Sequence, residues 1–280
     1  MSFRTILANL NEVSNNEAVM ATAAALAREF QAAVRGLYVI PAARIYPSAR
    51  YEPIPEMFEA HRRHFDRQTQ SVRAAFAATF AGSSVHSHLH VENSPSPLIC
   101  ETVTEKGRTC DLVLVSQTET ASRLGVELDF VPRVATAVGR PVMVLPRETP
   151  LQSLPEAVVI GWNGSREAAR AAFDGLPILK RAKAVHLVWV DPPSERHGAQ
   201  SVPGEDLARA LKLHGIKVEA ASLAGRGEDA GTVLLNKARN LGAGLLIIGA
   251  YGRSRLSEFI LGGVTRTVLR HMKCPVLLSH

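Results

Sequence analysis

The chain has 280 residues, close to the upper limit for one core and ample for two domains, since typical domains run ~100 to 200 residues. Hydrophobic residues make up 46% and charged residues 21%, a balance that excludes a largely disordered chain. The net charge of +6 is uneven: residues 1–150 hold 15 Lys/Arg and 15 Asp/Glu, residues 151–280 hold 17 and 11, an excess that suits either an anionic ligand in the second half or a solvated basic surface.

Cys100, Cys110 and Cys274 are an odd number, with no CxxC spacing and no His/Cys cluster around them, so neither a disulfide framework nor a zinc finger is expected, and a reducing compartment fits. The opening MSFRTILANLNEV carries only a strand-length apolar run, too short for a signal-peptide core or a membrane span. The expectation is a cytoplasmic, soluble protein without a membrane partner.

In chain order, the first half reads as a strand at 5–10 (TILANL), a helix at 16–30, a strand at 32–40 (AAVRGLYVI), a long helix at 56–80, a strand at 84–91 (SVHSHLHV), a helix at 97–107, and strands at 111–116 (DLVLVS) and 140–146 (RPVMVLP). The second half repeats the order: AVVIGW at 157–162, a helix through SREAARAAFDGLPILKR, AVHLVWV at 184–190, and a helix around EDLARALKLHG ending at Gly215. KVEAASLA follows as a strand, EDAGTVLLNKARNLGA as a helix, GLLIIGA as a buried strand, GVTRTVLRHMK as a helix and PVLLS as the last strand. Strands alternating with helices predict parallel sheets covered on both faces. Asn11 matches Asn163, and DLVLVS…GRPVMVLP matches GLLIIG…MKCPVLLS at nearly equal spacing, so the chain reads as a duplicated domain over 1–148 and 155–280, with the three prolines of 146–155 marking the linker.

The densest chemical signal is Gly249-Ala250-Tyr251-Gly252, nine residues, then Gly262-Gly263-Val264-Thr265. Gly249 ends the fourth strand of its half and Gly262-Gly263 opens the next helix, so the loop lies where an open parallel sheet binds ligands, outside the carboxyl ends of strands at the point where the connections reverse. Glycines let backbone N–H groups approach a phosphate without a Cβ in the way, and the helix start adds the positive end of its dipole. Arg253 and Arg255 are candidate charge partners.

G-x-x-G, nine residues, G-[S/T], a short helix and a terminal PVL strand together resemble the ATP-binding signature of universal stress proteins. The resemblance covers each half over most of its length, with the motif confined to the second. It implies two tandem Rossmann-like α/β domains, of the adenine nucleotide alpha hydrolase-like kind, each a five-stranded parallel sheet with helices on both faces. It also implies that the second half binds ATP or AMP, with Mg as an accompanying ion. In nucleotide-binding members an acidic residue after strand one and backbone groups at the end of strand two contact the adenosine, and the glycine loop wraps the ribose and phosphates. These positions fall on Trp162 and Asn163, on Trp189 and Val190, and on Ile248, Gly249, Gly252, Gly262, Gly263, Val264 and Thr265. Two of them depart from the pattern. Asn163 stands where Asp is usual, a neutral amide for a charged acceptor, and Gly263 stands where a hydroxyl residue is usual; each loss weakens a contact worth ~0.5 to 1.5 kcal/mol.

The first half's counterpart loop runs Ser116-Gln117-Thr118-Glu119 and later Leu128-Asp129-Phe130-Val131-Pro132. Bulky and acidic side chains stand where phosphate needs bare backbone, so this half is expected not to bind nucleotide in the family manner, and either to pair with the second half or to bind something else. The resemblance implies pairing of the last strands, RPVMVLP against PVLLS, as an intramolecular pseudo-dimer or within a homodimer.

Weaker signals have plainer readings. Gly225-Arg226-Gly227-Glu228-Asp229-Ala230-Gly231 resembles a dinucleotide fingerprint but lacks the acidic residue after the next strand, and reads as a glycine turn. His86, His88 and His90 alternate on one strand face and would hold zinc only if the strand bent, with His61 and His64 as further candidates; a polar strand face is the simpler account. Ser165 reads as a helix cap rather than part of a sequon. Aromatic residues are too few and scattered for a base-stacking platform, so no nucleic-acid partner is expected. The functional expectation is an adenine-nucleotide-binding stress or regulatory protein without a catalytic residue. The alternatives are a ligand- or metal-binding stress protein without nucleotide, and a weak ATP-hydrolysing enzyme in which His271 or Glu258 would act.

Overall fold

The computed structural model describes residues 2–43, 55–118, 126–147, 150–193, 204–251 and 263–280. Its strands are β1 (Thr5–Asn9), β2 (Ala33–Ile40), β3 (Ser87–Asn93), β4 (Leu112–Ser116) and β5 (Val142–Leu145), then β6 (Ala157–Trp162), β7 (Ala184–Val190), β8 (Val218–Leu223), β9 (Leu245–Gly249) and β10 (Val276–Ser279). Its helices are α1 (Asn16–Phe30), α2 (Pro55–Phe80), α3 (Ile99–Gly107), α4 (Phe130–Ala137), α5 (Arg166–Asp174), α6 (Leu176–Leu179), α7 (Glu205–Leu213), α8 (Ala230–Asn240) and α9 (Gly263–His271).

All ten strands form one sheet in the order β3-β2-β1-β4-β5-β10-β9-β6-β7-β8. Each half therefore runs 3-2-1-4-5, and the pairings within a half are parallel. The halves meet where β5 and β10 pair antiparallel, with Val144 opposite Val276, Met143 opposite Leu277 and Val142 opposite Leu278. These six side chains are completely buried, so the expected pairing of RPVMVLP with PVLLS sits in the middle of the core and removes two strand edges.

Alternation along the strands builds the two layers. Ile6, Ala8, Ile160 and Ile247 pack with α1, α2, α5, α6 and α7 on one face; Leu7, Val159, Leu246 and Ile248 pack with α3, α4, α8 and α9 on the other. The mixed α/β architecture expected from the sequence is the observed one.

Three elements differ from the sequence reading. Phe130, Val131 and Pro132, read as loop, begin α4, which Pro132 can join because the first turn of a helix needs no N–H from it. The expected single helix after Ser165 breaks into α5 and α6 at Gly175, with Pro177 two residues further on. The strand expected at 84–91 is paired over Ser87–Asn93 because its ladder follows β2, Val34 to Ile40. Among the described residues no helix is long and apolar enough to cross a membrane.

Candidate functional site

In the second half β6 has β7 on one side and β9 on the other, so the connections leave its carboxyl end in opposite directions and open a crevice there. The turn after β6 is fixed locally: the Asn163 side-chain oxygen accepts the Ser165 N–H at 3.0 Å, and Ser165 Oγ accepts the Ala168 N–H at 3.2 Å, capping α5 as expected. β9 ends against the start of α5. A Cβ on Gly249 would lie 2.5 Å from the Ala168 nitrogen, so this position excludes any side chain for packing reasons alone. Asp229 caps α8, accepting the N–H groups of Gly231 at 3.0 Å and Thr232 at 3.3 Å, and α9 opens at Gly263. Among the described residues a Cβ on Gly263 would meet only Asp229 Oδ1, at an ordinary 3.7 Å, so with respect to them this glycine leaves space rather than relieving a clash.

These elements enclose a cavity of about 260 Å³, just under the ~300 to 1,000 Å³ usual for ligand pockets. Of the residues singled out in the sequence, Trp162, Asn163, Val190, Ile248, Gly249, Gly263, Val264 and Thr265 all line it. Trp189 does not: its indole is buried, meets that of Trp162 edge-on at 6.3 Å and lies over Gly164. Gly252, Arg253 and Gly262, together with Arg255 and Glu258, lie outside the described residues. Sequence reasoning missed the apolar lining from Ala168, Ala230 and Leu234, and it missed Tyr251, which also lines the cavity. A tyrosine set inside a glycine motif was the available signal. His271 ends α9, eight residues from its opening and so about 12 Å along the helix.

The first half handles the same place differently. The buried Asn11 side chain accepts the Val39 N–H at 3.1 Å and donates to the Val39 carbonyl at 2.7 Å, occupying the main-chain edge at the end of strand two. At the opening of α3, the counterpart of α8, the buried Glu127 carboxylate accepts the Ile99 N–H. Asp129, singled out in the sequence, is instead tied to Arg133 at 2.5 Å; the acid at the opening of α3 is Glu127. Glu119 lies outside the described residues.

A larger cleft of about 910 Å³ straddles the seam, where Gln117 Nε2 donates to the Leu269 carbonyl at 2.7 Å. Its walls are long side chains such as Arg147, Arg266 and Arg270, and it includes Pro132, which has no N–H to offer. It lacks the glycine-exposed backbone of the β6–β9 crevice.

The remaining signals are structural. Gly225 donates its N–H to Asp191 at 2.8 Å, and Arg226 and Gly227 take left-handed φ values of 51° and 88°, a tight turn before α8. β8 is an edge strand. His86, His88 and His90 are exposed along the other edge, and His90 contacts Glu92 at 2.5 Å. His61 and His64 lie on α2, both stacked near Phe65. Among the described residues no group of three or more His, Cys, Asp and Glu side chains is placed to hold a metal ion. The three cysteines are free; burial pushes the Cys100 thiol up to about 12 and Cys274 up to about 11, which makes both poor nucleophiles.

Residues 155–280 match the sequence model of the universal stress protein family. Universal stress protein Slr1230 of Synechocystis sp. (strain ATCC 27184 / PCC 6803 / Kazusa) is 26% identical over 177 residues, 61% of this chain; the match spans 58% of that protein's length. The crystal structure of a universal stress protein from Archaeoglobus fulgidus DSM 4304 superposes with a TM-score of 0.72 over 99% of this chain and 97% of its own, at 15% identity. A functionally unknown protein from Pseudomonas aeruginosa PAO1, PA1789, superposes with a TM-score of 0.57 over 99% and 92%, also at 15% identity. At such identities the superpositions speak for the fold. Residues 155–280 thus carry the sequence pattern of the universal stress protein family, and the whole chain has the fold of a solved universal stress protein.

Proposed function

We propose that the crevice between the ends of β6 and β9 binds one adenine nucleotide, ATP or AMP, and that the chain works as a nucleotide-dependent regulatory or stress-response protein rather than as a turnover enzyme. The observation that carries this reading is the convergence of Trp162, Asn163, Val190, Gly249, Gly263 and Thr265, from four separate elements or their ends, on one cavity at the switch point of the sheet. Adenine would lie against Trp162, Asn163 and the Val190 main chain. The phosphates would lie over the opening of α9, where N–H groups without intrahelical partners and the helix dipole favour negative charge. The room at Gly263 fits such a group: among the described residues nothing but the capping Asp229 stands close. Mg, where it accompanies ATP, would be carried mainly on the phosphate oxygens, in keeping with its preference for phosphates and water over closed protein cages.

The domain over 1–148 is assigned a structural part, since Asn11 occupies the main-chain edge at the end of its second strand and Glu127 the first N–H of α3. It covers the edge of β10 through β5 and completes the sheet. Trp162 lines the proposed site and Trp189, the chain's other tryptophan, packs edge-on against it, so their fluorescence is a direct readout. Titration with ATP, AMP and cyclic AMP is expected to give a saturable change for at least one of them. No change with any at millimolar concentration overturns the reading.

A further inference from the structure

Tyr251 follows β9 and adopts φ 58°, the left-handed region that an L side chain enters only at a cost. It is only 8% exposed, and its hydroxyl has no hydrogen-bond partner among the described residues. Its ring packs in the core layer that includes Leu234, Val268 and Met272. A phenylalanine would fill that space equally well, so packing accounts for the ring and leaves the hydroxyl unexplained. A buried hydroxyl without a partner destabilises the chain that carries it, and none of the described residues offsets this one. The same residue lines the cavity beside Gly249, Gly263 and Thr265. Strained backbone and an unmatched donor at the wall of a cavity are the pattern of a group held ready for a ligand.

We propose that the Tyr251 hydroxyl is a ligand-binding donor whose partner is an oxygen of the bound molecule, a phosphate or sugar oxygen. The identity of that partner rests on the nucleotide reading of the cavity. Burial holds the phenol well above its ordinary pKa, so it remains a neutral donor and adds no negative charge beside an anionic ligand. The contact would partly replace the hydroxyl that Gly263 lacks.

Tyr251→Phe in the full chain tests this in two arms. Without ligand, the thermal midpoint of the variant should equal or exceed that of the wild type, because an unmatched buried donor has been removed. With ATP, calorimetry should show an affinity about tenfold lower, the loss expected for a hydrogen bond to a charged oxygen. A midpoint below that of the wild type, or failure to fold, places the hydroxyl in an internal bond and overturns the proposal; so does wild-type affinity for ATP in the variant. If the wild type itself takes up no ATP, the nucleotide reading fails separately, and the ligand-free arm alone decides the hydroxyl's standing.

Discussion

Asn11 closes its side-chain amide on the peptide of Val39, donating to the carbonyl at 2.7 Å and accepting the N–H at 3.1 Å, whereas its counterpart Asn163 turns to the N–H of Ser165. The same residue at the same place in two copies thus holds the end of strand two in one half and the turn before α5 in the other. Asn11→Ala should lower stability by about 1 to 3 kcal/mol, because two buried main-chain groups lose their partner. Denaturant unfolding followed by circular dichroism checks the loss, and unchanged stability would remove the clamp from the account. The variant should not gain nucleotide affinity, since Glu127 still occupies the opening of α3.

Gly263→Ser should be tolerated and should raise nucleotide affinity about twofold to tenfold, the worth of one neutral hydrogen bond. Among the described residues the new Cβ meets only Asp229 Oδ1 at 3.7 Å, so none of them has reason to shift. Calorimetric titration of the two proteins with the same nucleotide provides the comparison; a weaker-binding serine variant would count against phosphates at the α9 opening.

Gly249→Ala separates packing from binding. Its Cβ would press on the main chain of Glu167 and Ala168 at 2.5 to 2.9 Å, and backbone cannot rotate away. We expect a fall in thermal midpoint without any ligand present, as overpacked cores typically lose ~1 to 3 kcal/mol. A variant as stable as the wild type would mean that α5 and β9 are less closely joined than described.

Acid should loosen the first half at Asp111. Burial pushes this carboxyl up, but the N–H groups of Arg4 at 2.8 Å and Thr5 at 2.9 Å and the Thr5 hydroxyl at 3.0 Å outweigh it, and the net result lies below the usual carboxylate range. A lowered folded-state pKa means that the stabilisation is complete above the unfolded value of ~3.9 and is lost as pH falls through the folded one. Asp111→Asn should therefore flatten the fall of stability below about pH 4. Identical acid-unfolding profiles for variant and wild type would contradict this.

Much of the fold was legible in the sequence because buried parallel strands are continuous apolar runs and because the chain states its plan twice. The seam, RPVMVLP against PVLLS, was an expectation carried by the family resemblance, and the two strands do pair there. What the sequence hid was tertiary. Pro132 disguised the first turn of α4, and Gly175 with Pro177 cut a periodic segment that looked unbroken. Asn11 and Asn163 are indistinguishable by position, and only the distance to Val39 tells them apart. Gly249 reads as a phosphate glycine but is also compelled by the approach of α5, and Tyr251 gave no sign in one dimension that its hydroxyl would be buried without a partner.

The central claim is that one nucleotide binds per chain, in the carboxy-terminal crevice. Isothermal titration of the intact protein with ATP, repeated for Gly252→Val, tests it most directly. The account predicts a stoichiometry of one, with binding lost in the valine variant. No heat of binding, two equivalent sites per chain, or a variant that binds as well as the wild type would contradict it.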